Sequence, residues 1–169
     1  METIPVEAIY RESDKPAWEF VRGRWLQKVS PTWTHSRLQK LFANMLDAWG
    51  DGRGESAVEL HVSTWLPGEP KRTQLVPDVC FYFHDRHDAL TGRDWEYPPI
   101  PPDVTVEIKS EDDRADDIAA KHDRYIAWGV KMVVEVDPFA PRLDIHGGAH
   151  FPDLVDLMRA WFDAHFPEQ

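Results

Sequence analysis

Three charged residues near the middle of the chain have the types and the spacing that could bind a divalent metal ion. Asp78 lies in the stretch 75–83, and Glu107 and Lys109 lie in the stretch 102–110; both stretches have the β-branched and aromatic composition of strands. Because successive side chains of a strand point to opposite faces, Glu107 and Lys109 project from the same face. If the two strands are neighbours, Asp78 can meet Glu107 across the sheet. Two carboxylates and an ammonium would then form a candidate magnesium site for phosphodiester hydrolysis.

The acid-x-base pattern, with lysine or arginine as the base, does not identify a site by itself. The chain has 30 acidic and 19 basic residues, so roughly three such triplets are expected by chance. The context is more informative, because charged side chains are depleted on apolar strands and need a reason where that face is covered. The alternatives are an exposed sheet face and, for Asp78, a cap in a Pro-Asp turn.

Lys121 is a further candidate, on the helix predicted to follow the second strand. At about 100° per residue from Ile118, Lys121 falls near 300°, between Trp128 near 280° and Tyr125 near 340°. The lysine therefore lies within the apolar arc of this helix. Its side chain either snorkels along apolar surface or reaches the carboxylates, since the short connection 110–115 could pack the helix back against its own strand.

The patterns along the rest of the chain predict an α/β fold with a mixed β-sheet flanked by helices. The segments with strand patterns are 18–29 (a hairpin turning at Gly23), 58–62, 75–83, 102–110, 132–136 and 142–146. The segments with helical patterns are about 33–49, which glycines after Trp49 would end, 110–128 and 154–166. Residues 84–101 are predicted to form a polar loop. We expect one domain over 1–169, with 1–16 a loose N-terminal segment.

Composition limits the classes to which the protein can belong. With 169 residues, 42% hydrophobic and 12% aromatic, the chain suits one globular domain with its own core. Cys80 is the only cysteine, so no internal disulfide can form and a reducing compartment is expected. No signal-peptide pattern follows Met1, and no apolar run approaches the roughly 18 residues of a spanning helix. We therefore expect a cytoplasmic protein without a membrane segment.

The net charge of −11 arises entirely after residue 75. This distribution argues against a strong nonspecific nucleic-acid binder, which usually has a basic surface. It does not exclude a nuclease, because bound metal ions offset an acidic cluster locally.

Several of these stretches together resemble a known family. They are VRGRW at 21–25, SPTWTHSRL at 30–38, VPDV at 76–79, PPDVTVEIKS at 101–110, DDRADDIAAKHDRYIAWGVK at 112–131 and VDP at 136–138. This set is similar to the Uma-two type of bacterial restriction endonucleases, within the PD-(D/E)XK nuclease superfamily. The resemblance implies a restriction-endonuclease-like fold and a divalent-metal phosphodiesterase. Asp78 and Glu107 would hold Mg²⁺ or Mn²⁺, and Lys109 would orient or activate the attacking water.

The chain departs from the family pattern in two places. Many superfamily members add a glutamate from the first helix, which this chain lacks between Thr34 and Trp49; Glu59 is a possible substitute ligand or a surface residue. Many relatives keep the lysine on the following helix, whereas this chain has both Lys109 and Lys121. Which lysine is catalytic stays open at this point.

The resemblance favours a DNA endonuclease, which could be a homodimer so that two sites address two strands. Two alternatives stay open: a non-catalytic DNA- or protein-interaction module that keeps the fold, and a hydrolase acting on RNA.

A separate pattern, His84 and His87 beside two aspartates, could suggest zinc, but without cysteine or a third ligand at helical spacing a solvated loop is favoured.

Overall fold

The structure, a computed structural model, describes residues 16–167 as nine strands and five α-helices. The strands are β1 (Trp18–Val21), β2 (Arg24–Gln27), β3 (Gly54–Val58), β4 (Val62–Thr64), β5 (Thr73–Leu75), β6 (Val79–Phe83), β7 (Val104–Ile108), β8 (Met132–Asp137) and β9 (Arg142–His146). The helices are α1 (Trp33–Gly50), α2 (His84–His87), α3 (Arg93–Glu96), α4 (Ala115–Trp128) and α5 (Pro152–His165). The predicted loose segment 1–16 lies outside the described residues, except for Pro16.

Five of the strands form a mixed sheet in the order β3-β6-β7-β8-β9. Only β7 and β8 run parallel, and α4 makes the crossover between them. The register places Val79 opposite Val106 in the antiparallel β6–β7 pair and Glu107 opposite Glu135 in the parallel pair. The start of β6 therefore lies beside the end of β7, as predicted for Asp78 and Glu107.

The two faces of the sheet are covered differently. On one face, α1 and α5 bury Phe42 and Met158 against Val106 and Val134 in the main core. On the opposite face, α4 and the two hairpins β1-β2 and β4-β5 form a smaller core around Tyr125. Because side chains alternate along β7, Val104, Val106 and Ile108 enter the main core while Glu107 faces α4.

Several predicted elements are confirmed. The hairpin turns at Arg22 and Gly23, both with positive φ, as a two-residue β-turn requires. Helix α1 starts after Thr32, whose hydroxyl accepts a hydrogen bond from the backbone N–H of His35. Its C-cap is Asp51 at φ 48°, rather than a glycine.

Other boundaries were wrong. The predicted strand 58–62 is the end of β3 and the start of β4, because Glu59 at φ 51° breaks the extended backbone. The predicted strand 75–83 is likewise two strands, separated where Val76 donates its N–H to the Glu19 carboxylate and Pro77 has none. The loop 84–101 contains the single-turn helices α2 and α3. Helix α4 begins at Ala115, because Asp113 caps a turn by accepting from the N–H of Ser110.

Candidate active site

Asp78 is buried immediately before β6 and is bound from three directions. Its Oδ2 accepts a hydrogen bond from the backbone N–H of Ile108 at 2.7 Å, which ties the start of β6 to the end of β7. Its Oδ1 accepts one from Lys28 Nζ at 2.7 Å. The ring Nε2 of His35, on α1, lies 3.4 Å from Oδ2. The Asp78 carboxylate is therefore fixed in position by two strands and a helix.

Glu107 projects from β7 toward α4 and meets two of its side chains there. Its Oε1 accepts a hydrogen bond from the hydroxyl of Tyr125 at 2.7 Å, and its Oε2 accepts one from Lys121 Nζ at 2.8 Å. Lys121 Nζ also lies 2.9 Å from the carboxylate of Glu19 on β1. Helix α4 thus packs back against its own strand, and Lys121 reaches the carboxylates instead of snorkelling to solvent.

Lys109 points elsewhere. Its Nζ donates to Asp137 Oδ2 at 2.9 Å, at the end of β8, and 36% of its side chain is exposed. Asp137 is itself anchored by the backbone N–H groups of Phe139 and Ala140. Of the two candidate lysines, Lys121 is therefore the one in contact with a predicted metal ligand.

Glu59 is separated from the Asp78 carboxylate by a side-chain amide. Its Oε1 accepts a hydrogen bond from Gln39 Nε2 at 3.2 Å, and the same amide lies 3.4 Å from the backbone oxygen of Asp78. Its backbone N–H donates to that oxygen as well. These contacts support the backbone around Asp78 and place no Glu59 oxygen on its carboxylate.

A cavity of about 770 Å³ joins the predicted residues. Its walls include Asp78, Glu107, Lys109 and Lys121, but not Glu59. The cavity lies between the β7–β8–β9 side of the sheet, α4 and the β1-β2 hairpin. This volume is in the usual range for a ligand pocket.

The charges in the site influence one another strongly. Burial raises the pKa of Glu107 to about 7, with Asp78 acting in the same direction and Lys121 in the opposite one. Burial alone would raise the pKa of Asp78 too, but Lys28 and His35 hold it well below its ordinary range. Although burial disfavours a charged ammonium, Glu107 and Glu19 hold the pKa of Lys121 above its ordinary value. Near neutral pH, Asp78 and Lys121 are charged, and Glu107 is divided between its two forms.

Three contributors were not predicted from the sequence as members of the site: Glu19, Lys28 and Tyr125. Glu19 carries a recognisable signal, because it alternates with Val21 on the buried face of β1, where a charged residue needs a partner. Lys28 follows β2 and carries no pattern of its own. Its role depends on the hairpin folding over the start of β6, which brings together two residues that are 50 positions apart in the sequence.

The other sequence candidate, the pair His84 and His87, does not form a three-ligand group. Both imidazoles lie 3.9 Å from the Asp88 carboxylate, and among residues 16–167 no third ligand completes a set with them.

Comparison with known proteins assigns the chain to a family. The family model Uma2, described as "Putative restriction endonuclease", matches residues 5–149, most of the chain. The chain belongs to the Uma2 family. The Uma-two resemblance of its motifs is thereby confirmed, and the match includes Asp78, Glu107 and both candidate lysines.

A solved structure shows the same fold as this Uma2 chain. It is a protein of Anabaena variabilis ATCC 29413 described as "a putative nuclease belonging to DUF820", with a TM-score of 0.63 and 20% sequence identity. The match covers 79% of this chain and 78% of that one. The predicted α/β fold, a mixed sheet flanked by helices, is thus confirmed as a nuclease-like fold.

The comparison with curated proteins found no match. Within residues 16–167, no helix is long and apolar enough to span a membrane.

Proposed function

We propose that this Uma2 protein is a metal-dependent DNA endonuclease that hydrolyses phosphodiester bonds, with Asp78, Glu107 and Lys121 as its active site. The observation that carries the proposal is the convergence of two carboxylates from adjacent strands and a buried lysine in one cavity. Oxygen ligands from a few carboxylates are what Mg²⁺ and Mn²⁺ prefer. The family and the fold support a nuclease; the metal and the DNA substrate are our inference.

The side chains present fit a divalent cation. Asp78 Oδ1 and both Glu107 carboxylate oxygens each accept one hydrogen bond and have two lone pairs, so capacity is left on them for a metal ligand bond. Asp78 Oδ2 is already contacted by both the Ile108 N–H and His35 Nε2. Burial is the main cause of the raised pKa of Glu107, but the carboxylates of Asp78, Glu107 and Glu19 also outnumber the two lysines that contact them, Lys28 and Lys121. A bound cation would relieve that excess and favour the ionised carboxylate.

The chain's own residues would divide the work as follows. Asp78 and Glu107 would hold the metal ion, which when bound activates water and stabilises charge on the phosphate and leaving oxygens. Tyr125 and Lys121 hold the Glu107 carboxylate from its two oxygens. Lys121, charged at all working pH values, is placed to stabilise negative charge that develops on a phosphate beside Glu107. Lys28 keeps Asp78 ionised and fixed.

One observation favours the non-catalytic module as a second candidate. All four carboxylate oxygens of Asp78 and Glu107 already have partners in the chain, so the network is electrostatically supported without a metal ion. The net charge of −11 also opposes tight DNA binding. A protein of this kind would keep the fold and bind DNA or another protein without cleaving it.

Plasmid nicking separates these candidates. Supercoiled DNA would be incubated with the protein and Mg²⁺ or Mn²⁺, in parallel with Asp78→Asn, Glu107→Gln and Glu59→Gln, and with Glu55→Gln as the control for an exposed acid on β3. We expect metal-dependent nicking that Asp78→Asn and Glu107→Gln abolish and Glu55→Gln retains. Loss in Glu59→Gln would instead support the predicted third ligand.

Cleavage of a matched RNA in place of DNA would assign the RNA alternative. A folded wild type that binds DNA and leaves it intact with both metals would favour the module.

We further propose a cytoplasmic location and a homodimer in which each site addresses one strand. Light scattering after gel filtration would test the dimer by its mass, which for one chain is 19.6 kDa.

A further inference from the structure

A second group of metal-ligand side chains lines the same cavity and shares no residue with the proposed nuclease site. His122 on α4, Glu135 on β8 and His146 at the end of β9 each offer one ligand atom, and these atoms lie within 4.8 Å of one another. All three residues line the cavity. Within residues 16–167 this is the one group of three or more such side chains.

The fold itself places these ligands together. Glu135 pairs with Asp144 across the antiparallel β8–β9 ladder, and His146 is two residues further along the same face. Diagonal neighbours of this kind lie within reach of long side chains. His122 follows Lys121 on α4 and approaches from above the sheet, with its Nδ1 3.6 Å from Glu135 Oε2 and its ring centroid 3.9 Å from that of His146.

His122 is the observation that points to a ligand. Its side chain is more than nine-tenths buried, with 9% exposed. Neither of its ring nitrogens has a hydrogen-bond partner among residues 16–167. The Glu135 carboxylate oxygen Oε2, 3.6 Å from its Nδ1, is beyond hydrogen-bond distance. A buried imidazole that makes no hydrogen bond is unfavourable, since it has lost water without replacing it. A metal ion between the three side chains would supply the missing interaction.

We propose that His122, Glu135 and His146 bind a divalent transition-metal ion, with Zn²⁺ the best chemical match. Two imidazoles and one carboxylate are a common set of three protein ligands for Zn²⁺, and they leave a fourth position for water or a phosphate oxygen. Imidazole ligands favour Zn²⁺ and its late transition-metal neighbours over Mg²⁺. This site adjoins the proposed nuclease site but uses none of its residues, and the zinc proposal does not depend on the nuclease proposal.

The contact between His122 and Glu135 needs only a small adjustment to bind one ion. A tetrahedral ion about 2.0 Å from its ligands sets the ligand atoms roughly 3.3 Å apart, close to the 3.6 Å between His122 and Glu135. His146 is exposed, so its ring can move to complete the site. Bound there, the ion would join α4 to β8 and β9. It would also place positive charge beside a row of acids, because Glu135 lies between Glu107 and Asp144 in the sheet.

Zinc titration of the untagged full chain tests this proposal. After treatment with a chelator and its removal, Zn²⁺ is titrated by calorimetry, and Co²⁺ is added separately to follow its visible absorption. The variants are His146→Ala and Glu135→Gln, with His150→Ala as the control for a second exposed histidine close in sequence. Asp78→Asn is included to report on the proposed nuclease site.

We expect about one Zn²⁺ per chain, a tetrahedral Co²⁺ spectrum and a higher unfolding temperature with Zn²⁺. His146→Ala and Glu135→Gln should each weaken Zn²⁺ binding by at least about 100-fold, while His150→Ala and Asp78→Asn leave it within about threefold. His146 is exposed, so its variant folds normally and a loss of binding there is a loss of a ligand. Absence of Zn²⁺ binding to the wild type would overturn the proposal, as would binding that His146→Ala and Glu135→Gln leave unchanged. If plasmid nicking fails but these results hold, only the proposed function falls.

Discussion

Replacing Lys121 by methionine removes the charge that holds two buried carboxylates together. Lys121 Nζ lies 2.8 Å from Glu107 and 2.9 Å from Glu19, and all three side chains are largely buried. Methionine has nearly the same length as lysine and carries no charge. The substitution therefore tests the ammonium alone. Lys109→Met is the matched control, because Lys109 pairs with a single acid, Asp137, at similar distance but with 36% of its side chain exposed.

The two substitutions should differ several-fold in how much they lower the free energy of unfolding. Leaving a buried charge without its partner costs about 3–5 kcal/mol, which we expect for Lys121→Met. A partly exposed ion pair is worth about 0–1 kcal/mol, which we expect for Lys109→Met. A domain of this size has a total stability of about 5–15 kcal/mol, so both variants should fold at room temperature.

The cost of Lys121→Met should also depend on pH. Because the pKa of Glu107 is about 7 in the folded protein, this carboxyl is protonated and neutral in moderately acidic solution. The charge pair that the variant lacks is then weakened in the wild type as well. The difference in stability between the two proteins should therefore be smaller near pH 5 than near about pH 8.

Urea unfolding followed by tryptophan fluorescence measures these differences, since the chain has 8 tryptophans. The reasoning is refuted if Lys109→Met destabilises the protein as much as Lys121→Met does. It is also refuted if Lys121→Met costs less than about 1 kcal/mol near pH 8.

Three further predictions concern neighbouring buried groups. Glu107 has a folded pKa of about 7, above its ordinary value of 4.5, so it contributes stability below pH 4.5 that is lost as the pH rises through 7. At about 1.4 kcal/mol per pH unit this contribution is at most about 3.5 kcal/mol. The free energy of unfolding of Glu107→Gln should therefore fall less between pH 4.5 and 7 than that of the wild type. Equal slopes of unfolding free energy against pH in the two proteins would contradict this. Asp78→Asn should lower the free energy of unfolding by about 3–5 kcal/mol, because it leaves the buried Lys28 charge without its counter-ion. Asp78→Asn combined with Lys28→Met should cost less than the sum of the single changes. Additive changes in the free energy of unfolding in urea would show that the pair is not coupled. Burial raises the pKa of the Cys80 thiol to about 12, so a thiol reagent near about pH 8 should label it only after unfolding; rapid labelling of native protein would contradict its burial.

The arrangement of the sheet was predictable where one residue pattern determines one element. Alternation along 102–110 correctly put Glu107 on the face opposite Val106, and the helical wheel correctly put Lys121 on the same buried side of its helix as Tyr125. Both are properties of local backbone geometry, which sequence spacing reports directly. The strand boundary at Glu59 depends on its positive φ, and the boundary near Pro77 on the hydrogen bond from the Val76 N–H to the distant Glu19 carboxylate; alternation reveals neither.

The partners of the site residues were less predictable, because they come from distant parts of the chain. The pairing of Lys28 with Asp78 depends on how the β1-β2 hairpin packs over β6. Likewise, Lys109 has the spacing of a catalytic lysine, but Asp137 at the end of the neighbouring strand binds it. Only the order of strands in the sheet brings Asp137 to that position. Sequence spacing therefore identified the candidates, and tertiary packing distinguishes between the two lysines.

The most direct test of the proposed site is DNA cleavage by the two lysine variants under single-turnover conditions. Wild type, Lys121→Met and Lys109→Met would be compared in Mg²⁺ with protein in excess over supercoiled plasmid, at a temperature where all three are folded. We predict metal-dependent nicking by the wild type, a rate within about threefold of it for Lys109→Met, and a loss of at least about 100-fold for Lys121→Met. Cleavage by Lys121→Met at the wild-type rate would contradict the assignment of this lysine to the active site.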